Sequence, residues 1–208
     1  RGSLLDHIRK GGWVGYVILS LGALSVLVGA AKLAQLRGEQ PTAPEGLRRI
    51  ALAARGSQPI PPVEASNRFV ARLVKVGIEN AREKSELLEE CMLSVILEYK
   101  LRLERFVPIL SLTAATAPLL GLLGTVVGMI KTFTLITVFG TGDAKSLSSG
   151  ISEALVTTEL GLIVAIPALI FHGIFTRIMR SRISSMEQIA TEFSRHVSAE
   201  RQEPAALK

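Results

Sequence analysis

The sequence predicts an all-α membrane protein: three spanning helices with long helical extensions on the cytoplasmic side. Three observations lead there. Hydrophobic residues fill 48% of the 208 positions, mean hydropathy is +0.38, and the apolar residues gather in long blocks rather than alternating. Three of these blocks reach about 20 residues, which at roughly 1.5 Å per residue matches a hydrocarbon core of roughly 30 Å. The basic residues are also unevenly placed. Arg48, Arg49, Arg55, Arg68, Arg72, Lys75, Arg82, Lys84, Lys100 and Arg102 lie between the first two blocks, and Arg177, Arg180, Arg182 and Arg195 follow the third. The link from the second block to the third carries only Lys145. The positive-inside rule therefore sets that link and the N-terminus outside and the C-terminus inside, with Arg9 and Lys10 outnumbered. The formal charge of +6 thus speaks for topology rather than for nucleic acid.

Each element follows in order. Residues 1–12 form a periplasmic N-terminus, with Arg1-Gly2-Ser3 set aside from the fold reading. Residues 13–34 are the first span, with Trp13 and Tyr16 as interfacial anchors. Its length fits an uncleaved anchor better than a secretory signal, whose cleavage site its small residues would otherwise suit. Residues 35–66 contain Pro41, Pro44, Pro59, Pro61 and Pro62, which leaves room for one short helix around Leu47 to Ala54 in a cytoplasmic Pro/Gly-rich segment. Residues 67–106 place Phe69, Leu73, Val76 and Ile78, then Leu87, Leu88, Met92, Val95, Ile96, Tyr99 and Leu103, at helical spacing; they read as cytoplasmic amphipathic helices. With no proline or glycine between Glu79 and Phe106, this helix is expected to continue through Pro108 with at most a kink, making the second span part of a rod of more than 50 residues, on the order of 75 Å.

Residues 107–138 form the second span, 139–150 a short periplasmic loop and 151–176 the third span. Residues 177–208 are a basic amphipathic cytoplasmic helix ending in a frayed EPAALK tail. The cytoplasmic part looks too poor in apolar surface for a core of its own, so its helices are expected to extend the membrane bundle. The single cysteine, Cys91, excludes an intrachain disulfide and reads as a buried, inert thiol.

Candidate functional residues lie in the second and third spans. Gly121, Gly124 and Gly128 recur along one, and Ala154, Thr158, Gly161 and Ala165 along the other. Small residues at this spacing let backbones approach closely in lipid. Counting from the inner ends, Thr125 is 18 steps from Val107 and Thr158 is 17 from Phe175, so the two hydroxyls fall at similar depth and could line one layer. The same count sets Lys131 about 9 Å above Thr125 and Glu153 about 7.5 Å above Thr158. Lys131 and Glu153 are therefore a possible ion pair near the outer interface; alternatively Glu153 compensates a helix dipole and Lys131 snorkels. Glu159 is an ionisable group within an apolar span, costing roughly 2.5–3.5 kcal/mol on insertion scales. It should face protein or water, either as a protonated interprotomer donor or in ion handling. His172 reads as an interfacial residue.

Enzyme chemistry finds no footing. GTGDAKS (Gly140 to Ser146) lacks the Gly-Lys pair of a phosphate-binding loop, no strand precedes GLLGTVVG, and one cysteine with three separated histidines offers no metal site. The chain is expected to be neither an enzyme nor a cofactor protein.

TAPLLGLLGTVVGMIKTF followed by GISEALVTTELGLIVAIPALIFH resembles the paired signature of the ExbB/TolQ/MotA family of proton-driven motor proteins. Three spans and a large first cytoplasmic segment look most like ExbB and TolQ. The likeness covers residues 105 to 195 in detail, with the small-residue run before Thr125, then Glu153, Thr158, Gly161 and Pro167 in order.

The resemblance implies a ring-forming homo-oligomer, a pentamer, in the bacterial inner membrane, whose second and third spans line a pore. It also implies a dimer of an ExbD- or TolR-like single-span partner bearing an intramembrane aspartate, and a TonB- or TolA-like protein that receives the force, with lipids around the ring. Thr125 and Thr158 match the pore-lining polar groups, and Glu153 matches the family glutamate. Glycines would pack protomer against protomer. Glu159 departs from the ExbB pattern, which has a small residue there; it could add a second protonatable site, raise the partner acid's pKa or mark a sodium-driven variant. A non-conducting pentameric scaffold remains the alternative from another class, while a solute carrier is disfavoured by the lack of an inverted repeat.

Overall fold

The computed structural model describes residues 11–37, 41–55, 67–140 and 144–202. The expectations for residues 1–10 of the N-terminal segment, for residues 56–66 with Pro59, Pro61 and Pro62, for residues 141–143 of the outer link, and for the tail from residue 203 lie outside this range. Regular structure among the described residues is entirely helical: α1 (Gly12–Arg37), α2 (Leu47–Arg55), α3 (Arg68–Glu79), α4 (Ser85–Glu104), α5 (Val107–Phe139) and α6 (Ala144–Gln202). Three of these, α1, α5 and α6, are long and apolar enough to cross a membrane.

The expected rod through Pro108 does not form. Helix α4 ends at Glu104, Phe106 takes a left-handed conformation (φ 70°), and α5 starts afresh at Val107 with Pro108 in its first turn. Proline lacks the N–H that would bond the carbonyl of Glu104, and its ring would collide with that carbonyl in a continuous helix. In the first turn of a new helix the missing N–H has no intrahelical role. The long element is α6 instead, 59 residues and about 89 Å at roughly 1.5 Å per residue. It also begins earlier than the expected loop at 139–150 allows. Residues 144–150 are already helical, because Gly150 sits against Thr132 of α5 and no breaker separates Ala144 from it.

The chain forms two compact units. The first comprises α1 up to Lys32, α5, and α6 up to Phe175. Val14 and Ile18 of α1 pack with Val156 and Leu160 of α6, flanked by Leu19, Leu120 and Val164. At the start of α1, Gly12 adopts φ 57° with the Glu153 carboxylate where a β-carbon would stand. Glycine takes this backbone conformation without strain and leaves room for the carboxylate. Much of the remaining surface is apolar and exposed: Trp13, Tyr16, Val26 and Leu27 on α1, Leu119, Leu122, Ile130 and Phe133 on α5, Leu155, Ile163, Ile166 and Leu169 on α6. Only 22% of the apolar window of α5 is buried. Such faces are stable in lipid or against other apolar helices.

The second unit, residues 33–105 with α6 beyond Phe175, has the core that the sequence reading denied it. Phe69, Val70, Leu73 and Val74 of α3 and Leu88, Met92, Ile96, Tyr99 and Leu103 of α4 are buried, as are Met186, Ile189, Phe193 and Val197 of α6. The apolar face of the C-terminal helix supplies what residues 67–106 lack alone. Phe69 and Tyr99 meet with ring centroids 4.9 Å apart, and Gly77 gives way to the Phe193 ring. Asn67 caps α3 by accepting from the Phe69 N–H at 2.8 Å. The turn at Asn80, with its N–H donating to Val76, separates α3 from α4. Cys91 is half-buried rather than buried.

Candidate functional site

The seam between α5 and α6 is built by small residues facing small residues. A β-carbon on Gly161 would fall 2.7 Å from the Ala117 carbonyl oxygen, one on Gly121 3.0 Å from the Thr158 Cα, and one on Gly128 2.8 Å from the Ala154 Cβ. Gly124 faces the Thr157 side chain, and Gly150 the Thr132 hydroxyl. The antiparallel register thus runs Ala117–Gly161, Gly121–Thr158, Gly124–Thr157, Gly128–Ala154, Thr132–Gly150. All these contacts lie within one chain, so the glycines expected to pack protomer against protomer pack this protomer's own helices. Ala165 is buried on the same helix. Spans in lipid lack a hydrophobic driving force for association, and close backbone contact replaces it with dispersion and interhelical hydrogen bonding.

Hydroxyl groups are threaded along this seam. Thr158 Oγ1 donates across it to the Gly121 carbonyl at 3.2 Å. Thr125 Oγ1 donates to the Leu122 carbonyl of its own helix at 2.6 Å. Both threonines are half-buried. The Thr158 bond reaches a point one turn below Thr125 in the chain, so the single layer expected from counting spreads over neighbouring turns. Each hydroxyl spends its proton on a backbone carbonyl and keeps lone pairs to accept a bond from another donor.

Sequence reasoning missed Thr157. It is buried, donates to the Ala154 carbonyl at 2.8 Å and fills the space left by Gly124. The TT dipeptide offered two candidates one residue apart, about 100° around the helix, and only register shows which one packs. Lys32, buried near the end of the apolar run of α1, was also overlooked because a terminal lysine reads as snorkelling.

Above this tier, Lys131 Nζ lies 2.8 Å from Glu153 Oε2, with Lys131 59% and Glu153 20% exposed. Glu153 thus stands between a lysine of α5 and the N-terminal turn of α1 at Gly12. Glu159 is exposed and shares a face with the exposed Leu155, Leu162 and Ile166. It points away from the seam, onto an apolar face of the single chain. His172 is half-buried. No grouping of three or more metal-ligating side chains occurs among the described residues.

Three apolar helices held by a small-residue seam define a polytopic helical membrane protein. Residues 65–188 match the model of the MotA/TolQ/ExbB proton channel family, and the chain belongs to that family. It is 35% identical over 117 residues to the biopolymer transport protein ExbB of Aquifex aeolicus, covering 56% of this chain and 71% of that one. It is 28% identical over 205 residues to a putative ExbB homologue of Methanothermobacter thermautotrophicus, covering 90% of this chain and 68% of the relative. With the Tol-Pal system protein TolQ of Pseudomonas aeruginosa it shares 28% identity over 169 residues, 78% of this chain and 65% of that one. Other relatives are longer: the chain spans 37% of a putative ExbB-like protein of Synechocystis and 45% of the Xanthomonas campestris ExbB.

Proposed function

We propose that this chain is the ring-forming stator subunit of an inner-membrane motor that uses the proton motive force to energise a periplasm-spanning, TonB- or TolA-like partner. The C-terminus lies in the cytoplasm, and several copies, five by the family resemblance, surround the spans of an ExbD- or TolR-like dimer. The observation that carries this reading is the pair of half-buried threonine hydroxyls, Thr158 and Thr125, each donating to a backbone carbonyl inside a mostly apolar bundle. Such a hydroxyl accepts a bond from a protonated aspartic acid without disturbing its own. An ionised aspartate has no proton to give, so the hydroxyl must swing round and release its carbonyl, forfeiting about 0.5–1.5 kcal/mol. Protonation of the partner acid therefore sets which contacts with the wall are available. A proton crossing about 100 mV releases about 2.3 kcal/mol, enough to drive the exchange.

Thr125→Ala with Thr158→Ala tests it. In vesicles reconstituted with the co-encoded single-span partner, potential-driven proton uptake should fall to background while subunit stoichiometry by native mass stays unchanged. Uptake at the wild-type rate rejects the hydroxyl tier. Glu159, an ionisable group among the apolar residues of the third span, favours a second reading, the sodium-driven variant, because such a group marks an ion pathway. Glu159→Gln should then shift the pH or sodium dependence of flux, and an unchanged profile leaves it a packing residue.

A further inference from the structure

A cavity of about 630 Å³ in the second unit is lined by the last turn of α1, Pro41 and one face of α6. Three arginines, Arg37, Arg177 and Arg182, line it with the hydroxyl-bearing Ser181 and Ser185, and none of its described lining residues is acidic. Arg182 is only 8% exposed. Its Nη2 donates to the Leu36 carbonyl, one of the four carbonyls that the end of α1 leaves without a helical donor. That bond explains the anchoring of Arg182 but not its charge. Its Nη1 is buried and has no hydrogen-bond partner among the described residues. A buried cation with an idle donor is costly until an anion meets it.

We infer that this cavity is a binding site for a phosphoryl group carrying net negative charge. Arginine's planar fork matches two phosphate oxygens at once, and Arg37 and Arg177 at the rim supply the remaining neutralising charge. The place in the sequence suits a phospholipid headgroup: Arg37 closes the apolar run of α1, and Arg177 follows that of α6 two residues after Phe175. Basic pockets next to spanning helices on the cytoplasmic side hold anionic headgroups in this manner. The inference does not depend on whether the chain conducts ions.

The test uses the full chain, purified in detergent and stripped of lipid, and native mass spectrometry with three probes: dioctanoyl-phosphatidylglycerol, inorganic phosphate and dioctanoylglycerol, which has no phosphate. Phosphatidylglycerol should bind saturably and dioctanoylglycerol should not. Comparable binding of inorganic phosphate assigns the site to a free phosphoryl compound, and its failure beside phosphatidylglycerol binding assigns it to lipid. Arg182→Gln should abolish binding, and it also removes the bond to Leu36. The double variant Arg37→Gln with Arg177→Gln leaves that bond intact and should weaken binding on the order of five-fold for each guanidinium removed. Equal binding of dioctanoylglycerol, or affinity unchanged in the double variant, overturns the inference. So does tighter phosphatidylglycerol binding in Glu39→Gln, because a carboxylate of this chain would then already serve the arginines.

Discussion

Gly161→Ala puts one methyl group where the seam between α5 and α6 has no room. Its β-carbon would fall 2.7 Å from the Ala117 carbonyl oxygen and 3.3 Å from the Gly121 Cα. Both are backbone atoms, which cannot rotate away. Ordinary contact begins at 3.4 Å, so the helices must part by about 0.7 Å, a gap that forfeits a quarter to a half of each dispersion well along the contact. Overpacking of this kind costs about 1–3 kcal/mol, and the better helix propensity of alanine returns at most about 1 kcal/mol. The net expectation is a loss of about 1–2 kcal/mol, or a fall of roughly 2–8 °C in Tm for a chain of this size. Gly173→Ala is the matched control, in the same helix with nothing within 4 Å of its β-carbon; it should be neutral or gain up to about 1 kcal/mol. Thermal unfolding of the two purified variants in one detergent, followed by circular dichroism, decides. If Gly161→Ala unfolds no earlier than Gly173→Ala, the close-approach account of the seam is wrong.

Two further outcomes concern the first turn of α5 and the core of the second unit. Phe106 is a non-glycine residue at φ 70° and 53% exposed, so Phe106→Gly should be neutral or stabilising by about 1 kcal/mol through relief of left-handed strain, whereas Phe106→Val should destabilise; the order of the two midpoints in denaturant titration checks it. Phe193→Ala empties the buried site opposite Gly77 and should cost about 3–5 kcal/mol. Faster proteolysis within residues 67–105 of Phe193→Ala, with the apolar spans still protected, is the expected readout.

The spans were legible in the sequence because lipid leaves a backbone few options: about 20 apolar residues without a charge make one helix almost irrespective of detail. The small-residue runs were legible for the same reason. What they faced was not. Gly121, Gly124 and Gly128 could have met another copy, and only the register of α5 on α6 shows Thr158, Thr157 and Ala154 opposite them. Pro108 carried the clue to the helix break, but a proline at a helix start and one at a kink look alike until the residue before the first turn, Phe106, is seen to turn left-handed. The second unit was underestimated because its core is assembled from distant stretches. Phe193 lies more than 90 residues beyond Tyr99 in the chain, and no local window contains both. The orphaned nitrogen of Arg182 was invisible for a simpler reason: in sequence it is one of five arginines in a basic tail.

The pairing of small residue with small residue at nearly every turn gives α5 and α6 the character of two toothed racks. Sliding one past the other by a single residue would drive the Thr157 side chain into backbone, and only a whole-turn jump of about 5.4 Å would let the teeth mesh again. Such a joint clicks between settings rather than gliding. Any smooth travel in this protein therefore has to take place on its outward apolar faces, with the α5–α6 pair carried along as one block.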